Sequence, residues 1–207
     1  MIHLPNQQAH FVHIPKTGGD FVTRFLLSNV PGARHESGGK HWPAAKHGIN
    51  PRFQFAFVRE PVAWFRSYYA FITRHYIIPN GKYPIFEGGM WHCMRCFEKY
   101  DYTSFGSFID SVYDDQPSYY TRMIEWFTGP PDAHYMNFIG KQENLNDELG
   151  SVLKRLKLYH LVPKLLTAKP INTSPSKFPI DPVYGFLIES QESAIYDRFG
   201  YTKTYHE

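Results

Sequence analysis

Apolar positions fall in short blocks along this chain, divided by Gly-, Pro- and His-rich stretches. Phe11-Val12-His13-Ile14 runs straight into a Lys-Thr-Gly-Gly turn, and the amphipathic stretch from Phe21 to Leu27 follows. The pattern predicts a strand near 10–14 and a helix near 20–29. A loop covers 31–52, a second strand lies near 53–58, and a long helix spans 61–77. Residues 79–104, with Pro79-Asn80-Gly81, Gly88-Gly89 and dense aromatics, read as a loop-rich insert. Helices are expected at 104–113, 118–127 and 143–157, and a strand near 133–139. Tyr159-His160-Leu161-Val162 reads as a further short strand, 163–180 as a loop and 181–198 as the last helix. Strands alternating with helices imply an α/β fold with a mostly parallel sheet. No repeat or linker divides the chain, so residues 1–207 are expected to form a single domain, large enough to bury a substantial core.

Composition narrows the class. Hydrophobic residues make up 43% of the 207, which is globular, and no apolar run approaches the roughly 18 residues of a membrane span. No basic segment followed by an apolar one opens the chain, so a soluble, cytoplasmic protein of bacterial or viral origin is expected. A net charge of +3 suits an anionic ligand but does not argue for nucleic acid. No basic run or helix-turn-helix pattern adds to that case. The two cysteines, Cys93 and Cys96, form a lone C-x-x-C. They could be reduced thiols, a local disulfide or half of a metal site, and their spacing does not choose among these.

The chemistry begins at Pro15-Lys16-Thr17-Gly18-Gly19-Asp20-Phe21. A strand, a glycine turn carrying a lysine, and then a helix is how α/β proteins hold an anion. The helix's first N–H groups and its dipole face the ligand while the lysine adds a point charge. The nucleoside triphosphate loop G-x-x-x-x-G-K-[ST] is not spelled here, because the lysine precedes the glycines. A second element, Phe57-Val58-Arg59-Glu60-Pro61, ends a strand in an arginine and opens a helix on proline, with Ser67 eight residues beyond Arg59. Arginine offers a forked, charge-assisted donor set that suits phosphate.

The spelling His13-Ile14-Pro15-Lys16-Thr17-Gly18-Gly19 resembles the 5′-phosphosulfate loop of sulfotransferases that use 3′-phosphoadenosine-5′-phosphosulfate (PAPS). It most resembles the glycan branch, typified by the heparan sulfate 2-O- and 6-O-sulfotransferases. Val58-Arg59-Glu60-Pro61 with Ser67 resembles that family's 3′-phosphate segment. Three later stretches also resemble family segments, in the same order: Gly140-Lys141-Gln142-Glu143-Asn144-Leu145, Asn172-Thr173-Ser174, and Tyr196-Asp197-Arg198-Phe199-Gly200-Tyr201. The resemblance implies a P-loop-NTPase-like, three-layer α/β/α sulfotransferase domain. PAPS would be the co-substrate, no metal would be required, and a hydroxyl acceptor, in this branch a glycan, would be the partner.

Sulfuryl transfer needs a group to stabilise the departing phosphate and a base for the attacking hydroxyl, with positioning and electrostatics carrying most of the rate. Lys16 is expected at the bridging oxygen, with Thr17, Gly18 and Gly19 around the 5′-phosphate. The family carries its base histidine between the two cofactor motifs, and Lys40-His41-Trp42-Pro43-Ala44-Ala45 matches best. His41 is therefore the expected base, with His35 and His47 as alternatives. His13 reads as a packing residue beneath the loop. Glu60 is a weaker candidate base because it adjoins Arg59.

Asp20 departs from the family pattern, which has Thr or Ser there. An ionised carboxylate about 4 Å from a phosphate would repel it by about 1 kcal/mol in water and more in a drier site. Either Asp20 turns away and favours its own helix N-terminus, or it contacts the acceptor or weakens PAPS binding. Aromatic residues are 17% of the chain. Most should be core, though the 79–104 insert could wall an acceptor cleft. A carbohydrate acceptor follows from the branch resembled. A small metabolite, a lipid-linked sugar or a peptide tyrosine stays open. Two other classes also remain: a nucleotide kinase or hydrolase, and a non-catalytic relative that only binds the nucleotide.

Overall fold

The structure is a computed structural model that describes residues 1–36, 41–44, 53–74, 101–169 and 178–205. Five strands form one sheet: β1 (Ile2–Leu4), β2 (Ala9–Phe11), β3 (Arg34–His35), β4 (Phe53–Val58) and β5 (Phe138–Lys141). Their order is β3-β1-β2-β4-β5. The β2–β4 and β4–β5 pairs are parallel, and the β1–β2 and β1–β3 pairs are antiparallel. The fold is thus mixed α/β, with the expected parallel pairing at the centre and an antiparallel edge.

Eight α-helices are described: α1 (Gly19–Asn29), α2 (Pro61–Ile72), α3 (Phe105–Asp115), α4 (Tyr119–Thr128), α5 (Leu145–Arg155), α6 (Val162–Leu166), α7 (Pro182–Gln191) and α8 (Ser193–Phe199). The chain divides into two compact units. One comprises Met1–Arg59 with Ile124–Thr173, the other Glu60–Met123 with Ser174–Glu207.

The first unit carries the sheet. One sheet face, built by Ile2, Leu4, Ala9, Phe11, Phe55 and Phe57, is buried against α1 and α5. From α1 come Phe21, Val22, Phe25 and Leu26, and from α5 Leu149, Val152 and Leu153, spacings that put each set on one helical face. A near-continuous apolar β4, with five of its six residues buried, is what a strand between two parallel neighbours requires. Gly140 in β5 leaves room for aromatic packing, since a Cβ there would lie 2.8 Å from the Phe57 ring. Acidic Asp147 and Glu148 in the first turn of α5, and basic Lys154 and Arg155 in its last, complement the helix dipole.

The second unit is helical, with an aromatic core. Trp64 stacks on Tyr68 at 4.8 Å and lies 4.9 Å from Tyr120; all three rings are fully buried. The expected core role of these aromatics holds. Glu192 is the buried polar centre. Its carboxylate accepts from Tyr113 Oη (3.1 Å), from the Tyr120 and Thr121 N–H groups (3.0 and 2.8 Å) and from Thr121 Oγ1 (2.7 Å). Burial still holds this carboxyl above the usual carboxylate range, against the pull of those donors. The same burial, with the Glu192 charge second, pushes the Tyr113 phenol well above its ordinary value.

Several expected elements differ. Two short strands, β1 and β3, were not anticipated, and β3 lies inside the expected 31–52 loop. Tyr159–Leu161 is a 3₁₀ turn leading into α6, not a strand. Leu158, Leu161 and Leu165 are buried while Tyr159 is 64% exposed, a spacing of three and four that belongs to a helix. The last helix is two helices, α7 and α8, which meet at Glu192. Helix α2 ends at Ile72, and the expected continuation beyond residue 74 lies outside the described residues. So do Cys93, Cys96, residues 79–100 of the insert, His47 and the Asn172-Thr173-Ser174 segment.

Candidate active site

The loop after β2 is shaped by two left-handed residues. Val12 N–H donates to Phe55 O at 2.8 Å, extending the pairing of β2 with β4 by one residue, and the chain then turns into the loop. Thr17 is buried, and its Oγ1 donates to Ile14 O at 2.9 Å, tying the turn together. Lys16 has φ 64° and Gly18 φ 84°. For glycine that conformation is free, whereas a lysine pays roughly 1–2 kcal/mol for it, and such outliers gather at binding loops. Gly18 is the N-cap of α1, and its carbonyl accepts from Phe21 N (3.1 Å) and Val22 N (3.3 Å). A Cβ on Gly18 would sit 2.7 Å from Leu145 Cδ2 and 3.4 Å from Gln142 Cγ. The Gly140–Leu145 segment therefore backs directly onto the loop.

His13 organises the space beneath it. Its ring is nearly fully buried and lies so close to Gly19 that a Cβ there would come within 2.1 Å. Its Nδ1 is 3.4 Å from Thr23 Oγ1, and its Nε2 is 3.9 Å from Asp20 Oδ1. Asp20 stands in the first turn of α1, where negative charge is favoured. His41 meets His13 edge to face at 4.7 Å, and its Nδ1 lies 3.1 Å from the His13 carbonyl oxygen. A carbonyl can only accept, so this bond places the proton on Nδ1. In the neutral ring Nε2 then holds the lone pair.

Arg59 follows β4, and its Nη1 donates to Lys16 O at 3.4 Å, so the second motif reaches the loop formed by the first. Glu60 is the N-cap of α2: its Oε1 accepts from Val62 N at 2.9 Å and its Oε2 from Ala63 N at 2.6 Å. Tyr196 Oη also donates to Glu60 Oε1. Burial, with the Glu60 charge second, pushes that phenol far above its ordinary value. These bonds account for Glu60 as a structural anchor. Gly200 then ends α8 in the left-handed conformation, so the Tyr196-to-Tyr201 segment has a structural explanation.

Of the residues singled out from sequence, Pro15 to Phe21, His41 and Arg59 come together in the first unit. Phe21 belongs to the core, leaving only main chain to offer a ligand. Ser67 is a buried residue of α2 in the second unit. His35 lies on β3, exposed and paired with Ile2. His13 is buried under the loop as expected, and the contact of its carbonyl with His41 Nδ1 was not legible in the sequence, because a main-chain acceptor leaves no mark in residue type.

The sequence profile of the sulfotransferase family matches residues 1–178. The chain belongs to the sulfotransferase family. The matched span includes the His13–Gly19 loop, the Arg59 segment and the Gly140–Leu145 segment, while α7 and α8 lie beyond it. Comparison with curated proteins and with solved structures gives no match. This sulfotransferase is accordingly a transferase enzyme of a carbohydrate-sulfotransferase type of family, whose members generally take the sulfuryl group from PAPS. Among the described residues, no helix is long and apolar enough to cross a membrane.

Proposed function

We propose that this sulfotransferase moves the sulfuryl group of PAPS to a hydroxyl of a carbohydrate acceptor, with His41 as general base. The observation that carries the reading is the arrangement of Lys16, the Gly18-capped N-terminus of α1 and a His41 ring whose Nδ1–H is committed to the His13 carbonyl. The first-turn N–H groups of α1 supply donors for the 5′-phosphate. Thr17 contributes through its main chain, because its hydroxyl proton is bound to Ile14 O. Arg59 and Ser67 are assigned to the 3′-phosphate on their spacing. The whole chain acts as one sulfotransferase domain.

The reaction balances with these groups alone. The acceptor oxygen attacks sulfur as its proton passes to His41 Nε2. The bond from sulfur to the bridging oxygen breaks, and the electron pair leaves with the 5′-phosphate of adenosine 3′,5′-bisphosphate. The Lys16 ammonium lies against that oxygen and stabilises the growing charge. His41, tethered at Nδ1, carries the proton as imidazolium and releases it to water.

Calorimetric titration with adenosine 3′,5′-bisphosphate, with ATP and magnesium in parallel, tests the donor. Transfer of labelled sulfate from PAPS to desulfated glycans, with a simple phenol alongside, tests the acceptor. Bisphosphate binding without ATP binding, and label on a glycan, are expected. Binding of ATP alone would overturn the reading, and bisphosphate binding with no transfer to any hydroxyl would make the chain a non-catalytic relative.

A further inference from the structure

At the antiparallel edge of the sheet, three metal-ligating side chains meet. His3 and His10 are registered opposite each other on β1 and β2, with their rings edge to face at 4.7 Å. Glu36, just past β3, is brought in by its N–H bond to Met1 O at 3.2 Å. Its Oε2 lies 3.6 Å from His3 Nδ1. One ligand atom from each of the three lies within 4.8 Å of the others. His10 is fully buried, and the side chains of His3 and Glu36 are only 13% and 18% exposed.

We infer that His3, His10 and Glu36 bind a divalent transition ion of the zinc class. This site is separate from the loop chemistry and independent of the proposed reaction. His3 Nδ1 and Glu36 Oε2 are buried and make no hydrogen bond among the described residues. Each faces only the other, at 3.6 Å, as an ion pair when His3 is protonated, and a shared cation would satisfy both with the imidazole neutral. Two imidazoles and a carboxylate form a donor set zinc favours. Around a tetrahedral centre with bonds of about 2.0–2.2 Å, ligand atoms stand about 3.3–3.6 Å apart. The His3–Glu36 pair is already near that spacing, so only the wider contacts must close, by side-chain rotation.

A fourth donor is at hand. Gln54 is registered beside His10 on β4, and its buried Oε1 has no hydrogen-bond partner among the described residues. That oxygen or a water completes four-coordination. Arg34, opposite His3 on β3, is the charged neighbour that opposes the ion, and it is exposed, so its charge is screened. The ion would join three strands that share few residues: β3 has two, β1 and β2 three each. The role follows from that placement: the metal pins the sheet edge.

The test uses the whole chain, stripped with a chelator and titrated with zinc chloride, and separately with cobalt chloride. One zinc per chain is expected, with a rise in melting temperature and the visible absorption of tetrahedral cobalt. His10 is buried enough that its variants could fail to fold, so His3→Gln and Glu36→Gln carry the decision. Each should weaken zinc binding by at least about tenfold, the loss typical of partners one shell further out, and abolish the cobalt bands. No binding by the wild-type chain overturns the site. Binding that survives in either variant, as it would if Cys93 and Cys96 held the ion, overturns it equally.

Discussion

Replacing Gly19 by alanine probes the packing beneath the loop. The added Cβ would lie 2.1 Å from His13 Cδ2 and 2.2 Å from Nε2, whereas ordinary contact begins at 3.4 Å. The imidazole must therefore move by 3.4 − 2.1 = 1.3 Å, and it is hemmed in by the Phe11 ring at 5.8 Å, the His41 ring at 4.7 Å and Thr23 Oγ1 at 3.4 Å. Overpacking of a buried site costs about 1–3 kcal/mol, and the better helix propensity of alanine returns at most about 1 kcal/mol. A displacement this large puts the clash at the upper end of that range, about 2–3 kcal/mol, so the net expectation is a loss of about 1–2 kcal/mol, or about 2–8 °C in melting temperature for a chain of this size.

Urea unfolding of Gly19→Ala, His13→Ala and the double variant separates this clash from any general damage. If the clash is the cause, the double variant is more stable than the sum of the singles by about 1 kcal/mol or more. Additive losses, or a Gly19→Ala chain as stable as wild type, would refute the reasoning. Bisphosphate binding should fall in Gly19→Ala, because the displaced ring belongs to the segment that shapes the loop.

At Lys16, stability and activity should part. Lys16→Gly removes the left-handed strain and should raise unfolding free energy by about 1 kcal/mol while abolishing transfer; urea melts beside the PAPS assay check both. His41→Gln should lower kcat about 10²–10⁴-fold with bisphosphate affinity unchanged by calorimetry, and near-normal turnover would return the base to His35 or His47. Glu192→Ala leaves the buried Tyr120 and Thr121 N–H groups without their acceptor and should cost about 3–5 kcal/mol. The folded Glu192 carboxyl binds its proton above the ordinary value of 4.5. In the interval just above that value the folded chain holds a proton the unfolded chain has lost, so stability falls as pH rises. Glu192→Gln should flatten that part of the stability–pH curve, and an unchanged slope would remove Glu192 as its source.

What was legible in the sequence had local causes. The apolar run of β4 and the Lys-Thr-Gly-Gly turn announce themselves, because burial on both faces and a glycine turn leave strong composition signals. Helix α2 is marked by Pro61 after Glu60, and the structure adds that Glu60 is its cap. The weak strands were not legible: Ile2–Leu4 is three residues before a proline, and Arg34–His35 is an exposed pair. β1 pairs with β2 across a short turn, but at three residues each they are too brief to show a period, while β3 is set by β1, about thirty positions away, which no short window contains. The α7–α8 break has the same origin, since Glu192 is drawn inward by donors more than 70 positions away. At the site, the motifs pointed to Lys16, Arg59 and His41, whereas the strain at Lys16 and the tether on His41 belong to the backbone.

The acceptor for His41 Nδ1 is a peptide carbonyl rather than a side chain. Substitution at residue 13 can change the ring beneath the loop, yet every amino acid supplies that carbonyl. Alanine scanning would therefore score His41 and pass over the group that fixes its tautomer. An inheritance of this kind is conferred by the path of the chain. Variants of the loop that keep its course can drift in side chains without losing control of the proton, and a single insertion between residues 13 and 41 could cost more than most substitutions there.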